Sequence, residues 1–343
     1  LSKEEIKLPE VKKEIKPGIK KEVIEVLLDE LKEGENRIGN IIVKKIEPTE
    51  VKPVAIRGNI GEYEINGIKI KVNNENHEYT LYYRDQKLNG KGVLNGDPFK
   101  VYIFVYKDNT YLILSQTVYS PMGTNRVHKF YILSADAHLK PIKGLEEEIF
   151  ILFESNGFII VEHNGFLYII NSTFSSRNGH SSISIYALDK DTIKSKSYFE
   201  AFVDHPDELR VIALGERDKK LFMKINSNVI YPIPGYTVLT NEYYFIDNGL
   251  FIKNNSKFKD EYFKEALKYN EILQKENWKE HNWLSPLLSK TINLIFAGEE
   301  ERAWREFFED FAKFSQKYPI KGIEKEDPNK IKKEIQKQLS DLE

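Results

Sequence analysis

Part of this chain is written more than once at a fixed spacing, and that repetition limits what it can fold into. Residues 103–120 lie over residues 158–175 without a gap, an offset of 55, and the same offset carries Tyr131, Leu133 and Asp136 onto Tyr186, Leu188 and Asp191. A second step of 55 lays residues 166–172 over 221–227, and a slip of three then brings Tyr186 onto Tyr244 and Asp189 onto Asp247. A divergent earlier copy lies within residues 61–88. Each copy holds about four short runs rich in Ile, Val, Tyr and Phe with a period of two, the pattern of strands. Asn66-Gly67, Asn89-Gly90, Asn95-Gly96, Asn156-Gly157, Asn164-Gly165 and Asn248-Gly249 fall between such runs, and Asn-Gly readily takes the positive φ angles of tight hairpins. A lone four-stranded unit cannot bury both of its faces, so the copies must cover one another.

Around this array the character of the sequence changes. Residues 1–18 are a Lys/Glu/Pro segment with little apolar content, a solvated leader or tether. In residues 19–34 the set Ile19, Val23, Ile24, Val26, Leu27, Leu28 and Leu31 follows helical spacing, and Gly34 supplies a stop. That spacing predicts an amphipathic helix docked on its neighbour. Residues 41–253 read as the β-repeat domain, within which residues 41–57 add edge strands. Residues 256–343 read as an α-helical domain of four helices, the third with Trp304, Phe307, Phe308, Phe311 and Phe314 on one face and Pro319 as its stop.

The runs 129–136 (Lys-Phe-Tyr-Ile-Leu-Ser-Ala-Asp) and 186–192 (Tyr-Ala-Leu-Asp-Lys-Asp-Thr) resemble the segment of β-propeller blades in which the third strand leads through an Asp and a polar turn to the outer strand. The resemblance is to the β-propeller superfamily at the level of fold and covers residues from about 60 to 253. It implies a mainly β chain of about four or five propeller-like blades followed by a small helical domain. The Gly-His and Trp-Asp pairs of WD repeats and the glycine pattern of kelch repeats are absent. The alternative architecture is a β-sandwich or open barrel with helices.

Composition removes several chemistries. The chain has no cysteine, which excludes disulfides, thiolate metal sites and thiol nucleophiles. With 51 Lys+Arg against 53 Asp+Glu, no global field draws nucleic acid. No apolar run approaches the ~18–20 residues needed to span a bilayer as a helix. The seven His are scattered without paired spacing, so neither metal nor cofactor is expected. The Gly-rich run 90–96 matches no phosphate-binding motif and precedes no helix, and the residues around Ser181 fail the nucleophile-elbow pattern. Asp136, Asp191 and Asp247 fall at repeat-equivalent turns, where Asp is expected for its turn chemistry. Abundant Lys, Glu, Ile and Tyr with few Gln and Met fits a thermophile, and equally an A+T-rich genome.

Two long loops in the same slot of consecutive copies form the candidate binding face: Tyr119, Asn125, Arg126 and His128 from one, Arg177, Asn178 and His180 from the next. Such a basic, hydroxyl-rich patch suits an anionic peptide, a glycan or a carboxylate. Trp304, Phe307, Phe308 and Phe311 are the candidate face for docking a partner helix. The expected role is a non-enzymatic binding or assembly protein with a protein or glycan partner, placed outside the cytoplasm in the periplasm or cell envelope. The alternative is a glycan- or ester-directed hydrolase with carboxylates near the propeller channel.

Overall fold

The computed structural model describes residues 24–120, 123–134, 136, 138–142, 145, 147–150, 158–175, 180–202, 212–233, 236–275, 283–318 and 327–340. They form four antiparallel sheets followed by four helices. Sheet I comprises Ala55–Arg57, Ile60–Ile65, Ile68–Asn73, Glu78–Tyr83 and Gln86–Lys91, paired in that order. Sheet II comprises Thr49–Val51, Lys100–Tyr106, Asn109–Ser120, Gly123–Leu133 and Leu139–Pro141, with Glu147–Phe150 also paired to the fourth of these. Sheet III orders Gly34–Ile38, Ile41–Ile46, Phe158–His163, Phe166–Ser175, His180–Asp189 and Thr192–Phe202. Sheet IV orders Ile24–Leu27, Ile212–Arg217, Lys220–Ile233, Tyr236–Asp247 and Leu250–Lys253.

The repeat is therefore a four-stranded meander, and its first hairpin recurs with one turn geometry. Asn66-Gly67, Lys107-Asp108, Asn164-Gly165 and Asp218-Lys219 all have positive φ at both residues. That is the two-residue hairpin turn whose twist matches the flanking strands, and two of the four copies form it without glycine.

The sheets stack face to face in the order I, II, III, IV. Ile68, Ile70, Val72 and Leu81 of sheet I pack on Val101, Leu112 and Leu114 of sheet II. The other face of sheet II, with Phe104, Tyr111 and Ile113, packs on Ile160, Leu167 and Ile169 of sheet III. Val161, Tyr168 and Ile170 then meet Leu214, Leu221 and Met223 of sheet IV. Sheets II and III, buried on both sides, have continuous apolar strands such as Tyr111–Leu114. Sheet I alternates strictly because only one side is covered. Its outer face carries Glu62, Glu64, Lys69 and Lys71 in solvent, with Lys71 paired to Glu62 at 3.3 Å. Sheet IV turns its far face, Phe222, Tyr243 and Phe245, onto Phe258 and Tyr262 of the helical region. Sheets I and IV share no hydrophobic cluster among the described residues, and no sheet closes into a barrel. The arrangement is an open stack with a charged cap at one end and helices at the other.

The N-terminal segment traverses this stack before any meander is made. It leaves Ile24–Leu27 on the edge of sheet IV, a hairpin on sheet III, Thr49–Val51 on sheet II and Ala55–Arg57 on sheet I. The helix expected over residues 19–34 is corrected here: Ile24–Leu27 is a strand paired with residues 213–216, Leu28–Glu30 is one 3-10 turn, and Leu28 and Leu31 are buried between sheets III and IV. The apolar spacing fitted a helix, but pairing with a strand almost 200 residues away decides the conformation. Residues 1–18 lie outside the described residues. Both repeat steps are corrected: the turns at 107–108 and 164–165 are 57 apart rather than 55, and the second step shortens by one residue. An offset of 55 lays Tyr168, which projects from sheet III toward sheet IV, over Met223, which projects back toward sheet III. An offset of 54 aligns the turns at 164–165 and 218–219 and restores the alternation.

The helices are α1 Lys259–Gln274, α2 Leu284–Phe296, α3 Glu300–Lys317 and α4 Pro328–Ser340. Trp304, Phe307 and Phe311 of α3 are buried among Leu284, Leu288, Ile292, Ile331 and Ile335, and Phe308 is half-buried against the same cluster. The expected partner-docking face is thus the core of the helical domain, filled by α2 and α4. The same cluster takes in Ile230 and Val238 from the hairpin of sheet IV, which anchors the helices to the stack.

Candidate functional site

The strands of the stack turn at two rims, one at each strand end, and the hairpins distribute side chains between them. At one strand end lie the tips of the second hairpin in each sheet. These hairpins are long in sheets II to IV, as in Asn109–Ser120 with Gly123–Leu133 and Phe166–Ser175 with His180–Asp189. The backbone places Tyr119 opposite Thr124, Arg126 opposite Thr117, Asn125 opposite Val118 and His180 opposite Ser175, each toward the far end of its own hairpin. Arg177 and Asn178 lie outside the described residues. His128 departs from the expectation. Opposite Ser115 and 1% exposed, it lies 6.4 Å from the Phe130 ring and belongs to the interior of sheet II's hairpin rather than to a ligand face.

At the other end the short turns of sheets I, II and III enclose a groove of about 1050 Å³. Its floor includes Leu88, Ile132 and Leu139, and its rim carries Lys87, Lys107, Asp108, Asp136, Lys140, Lys190 and Asp191. Two of the repeat-equivalent aspartates therefore meet here. Asp191 forms an ion pair with Lys140, joining sheet III to sheet II, and this contact holds its carboxyl below the usual range. Asp136 accepts a hydrogen bond from Ser134 Oγ, which likewise lowers its pKa, and lies 3.9 Å from His138 Nε2. Both carboxylates are held as anions.

The rim is also where the sheets are tied together. Gln86 Oε1 accepts the Leu139 N–H at 2.8 Å, joining sheet I to II. Lys107 Nζ donates to the Gly165 carbonyl at 2.6 Å, and Tyr111 Oη donates to the Lys190 carbonyl at 2.7 Å, joining II to III. Ser195 Oγ donates to the Gly249 carbonyl, joining III to IV. Turn carbonyls that would otherwise face solvent are used as staples between layers.

The Gly-rich run at 90–96 is a connector from sheet I to sheet II, wrapped on Gln116. Gln116 Oε1 accepts the Val93 N–H at 2.7 Å, while its Nε2 donates to the Val93 carbonyl at 3.0 Å and to His77 Nδ1 at 2.6 Å. A Cβ at Gly92 would stand 2.2 Å from Gln116 Oε1, so the glycine admits a close packing contact, not a phosphate.

Sequence reasoning had set aside Asp136 and Asp191 as turn formers and missed the groove. The missing signal was the alignment of turns from different repeats, which could have been read by stacking the copies rather than listing them. Among the described residues no group of acidic and histidine side chains is arranged to hold a metal ion, and no helix is long and apolar enough to cross a membrane. Neither a family model, a curated protein nor a solved structure matches this chain.

Proposed function

We propose that the chain is a non-enzymatic binding or assembly protein, an open array of blade-like modules whose strand turns engage a partner in the groove between sheets I, II and III. The observation that carries this reading is the engagement of two of the groove's three aspartates: Asp191 is ion-paired with Lys140, and Asp136 accepts a hydrogen bond from Ser134 Oγ. Glycan hydrolysis needs one carboxylic acid kept protonated to donate to the leaving group. Asp136 and Asp191 are instead lowered, by Ser134 and by Lys140. Their work is to fix turns and join sheets. Lys87 and Lys190 are exposed on the rim and have room for a ligand.

The test is a panel of immobilised glycans and peptides probed with the full chain and with the Lys87→Ala/Lys190→Ala variant. The reading expects ligands held by the wild type and released at least about tenfold more readily by the variant, a change of about 1.4 kcal/mol. Turnover of a glycoside or ester that disappears in Asp136→Asn or Asp191→Asn would contradict it and establish the hydrolase alternative.

A further inference from the structure

Among the described residues the groove opens onto an unpaired strand edge at Gln86, Lys87 and Leu88, and we infer, resting on the binding reading above, that this edge takes an extended acidic peptide as a sixth strand of sheet I. Among the described residues Gln86–Lys91 is the last strand of that sheet and pairs on one side only. Its register sets Gln86 opposite Tyr83, Leu88 opposite Leu81 and Gly90 opposite Tyr79, and the next step, Gly92 N–H to the His77 carbonyl, is a hydrogen-bonded pair at 2.7 Å. Antiparallel ladders alternate, so residues 86, 88 and 90 direct their amides inward while 87, 89 and 91 direct theirs outward. The Lys91 carbonyl confirms the phase by accepting Lys129 Nζ at 2.6 Å. The neighbouring edge, Leu139–Pro141, is closed: Gln86 takes the Leu139 N–H, and Pro141 has none.

The side chains on this edge select the occupant. Lys87, Asn89 and Lys91 share the outer face, with Leu88 between them on the inner side. Lys91 also pairs with Glu78 at 3.1 Å but is 78% exposed and can swing to a ligand. An added strand with acids opposite Lys87 and Lys91, a polar residue opposite Asn89 and apolar residues between them matches that pattern. Lys107 and Lys190 add positive charge across the groove. The opposing charges there are Asp108, Asp136 beside Ser134, and Asp191 already paired with Lys140. A second copy of this chain is disfavoured, because the fully overlapped antiparallel pairing of two such edges sets Lys87 against Lys91. A neutral glycan is disfavoured because the groove lining holds no aromatic platform among the described residues.

The experiment is fluorescence anisotropy of the full chain with an alternating peptide built on Asp-Val-Thr-Val-Asp. The comparisons are the same peptide N-methylated at alternate amides, its Lys-for-Asp version, and polygalacturonate as competitor. Binding of the acidic peptide is expected, weakened at least about tenfold by N-methylation on the pairing edge and abolished by the charge reversal. Asn89→Pro, which removes an outward N–H and keeps the backbone ladder to Glu78–Tyr83 while losing the exposed Thr80 Oγ1 bond to Asn89 Oδ1 at 3.0 Å, should weaken binding about tenfold with only a small drop in melting temperature. Equal binding of the methylated peptide, or indifference to Asn89→Pro, overturns strand addition. Binding of polygalacturonate alone overturns the peptide as ligand and leaves the groove reading standing. If nothing binds and Lys87→Ala/Lys190→Ala alters no interaction, both fall.

Discussion

The hydroxyls of Tyr79 and Tyr131 share a hydrogen bond of 2.6 Å inside the interface between sheets I and II, with their rings edge to face at 6.2 Å. Neither ring belongs to the other's repeat, so the contact reports directly on sheet-to-sheet packing. Tyr79→Phe and Tyr131→Phe should each cost about 0.5–1.5 kcal/mol, and the double variant should cost less than the sum. Urea unfolding of the four proteins measures this cycle, and additive costs would mean that the two hydroxyls do not meet.

Gly90 lies on the strand beside Tyr79 because a side chain does not fit. A Cβ there would fall 2.1 Å from the Tyr79 ring and hydroxyl. Gly90→Ala should therefore destabilise by about 1–3 kcal/mol, the usual cost of forcing atoms into a packed interior. Gly34→Ala provides the contrast, since a Cβ at Gly34 meets no atom within 4 Å and only its φ of +88° opposes the change. A shift in the urea midpoint without a change in slope is the expected signature for Gly90→Ala.

Lys290 of α2 is buried and pairs with Glu306 at 2.8 Å and Asp310 at 2.9 Å on α3. Burial pushes the Glu306 carboxyl up, but bonds from Arg302 and Lys290 outweigh it and hold the group below its ordinary value. A depressed carboxylate stabilises the fold above its unfolded pKa, and that stability is lost as pH falls through the folded value. Lys290→Met should cost about 1–3 kcal/mol at neutral pH, less than for a fully buried pair because both acids keep some contact with water. It should also flatten the loss of stability between roughly pH 5 and 3. Thermal melts across that range test both effects.

Several tyrosines pack in apolar surroundings. Burial pushes Tyr168 up to about 12 and Tyr243 and Tyr262 higher still. The unfolded chain releases these protons near pH ~10 while the folded chain keeps them, so stability declines as pH rises from there through the folded values. Tyrosinate absorbance for these residues should appear together with loss of far-ultraviolet dichroism. Full ionisation in a still-folded chain would contradict their burial.

Much of the architecture was legible because repetition and alternation are local properties. The turn pairs at 66–67, 164–165 and 248–249 stood out by residue type, and their φ angles bear that out. Asn89-Gly90 is corrected: it lies inside the strand Gln86–Lys91, where the glycine makes room for Tyr79, and 156–157 lie outside the described residues. The turns at 107–108 and 218–219 have the same geometry without Asn-Gly, and the offset of 55 from 164–165 misplaces them by two residues and by one. What stayed hidden was non-local. Residues 24–27 read as helix because seven apolar residues satisfy either period over so short a span, whereas the partner strand at 213–216 is remote. The aromatic face of α3 looked too wide for one stripe because it meets two helices at once. The groove escaped for the same reason as the helix: Asp136 and Asp191 lie 55 residues apart in sequence, and only stacking brings their turns to one rim.

The central claim is that four sheets form an open stack, with sheets I and IV at opposite ends. The absence of native cysteine makes the distance between them directly measurable. Spin labels placed through Lys69→Cys on the outer face of sheet I and Leu250→Cys on the exposed edge of sheet IV should lie about 30 Å apart or more, three sheet spacings of ~10 Å. A pulsed electron–electron resonance distribution centred there supports the stack. A distribution centred near one spacing, about 10–15 Å after allowance for the labels, would place sheets I and IV side by side in a closed ring and contradict it.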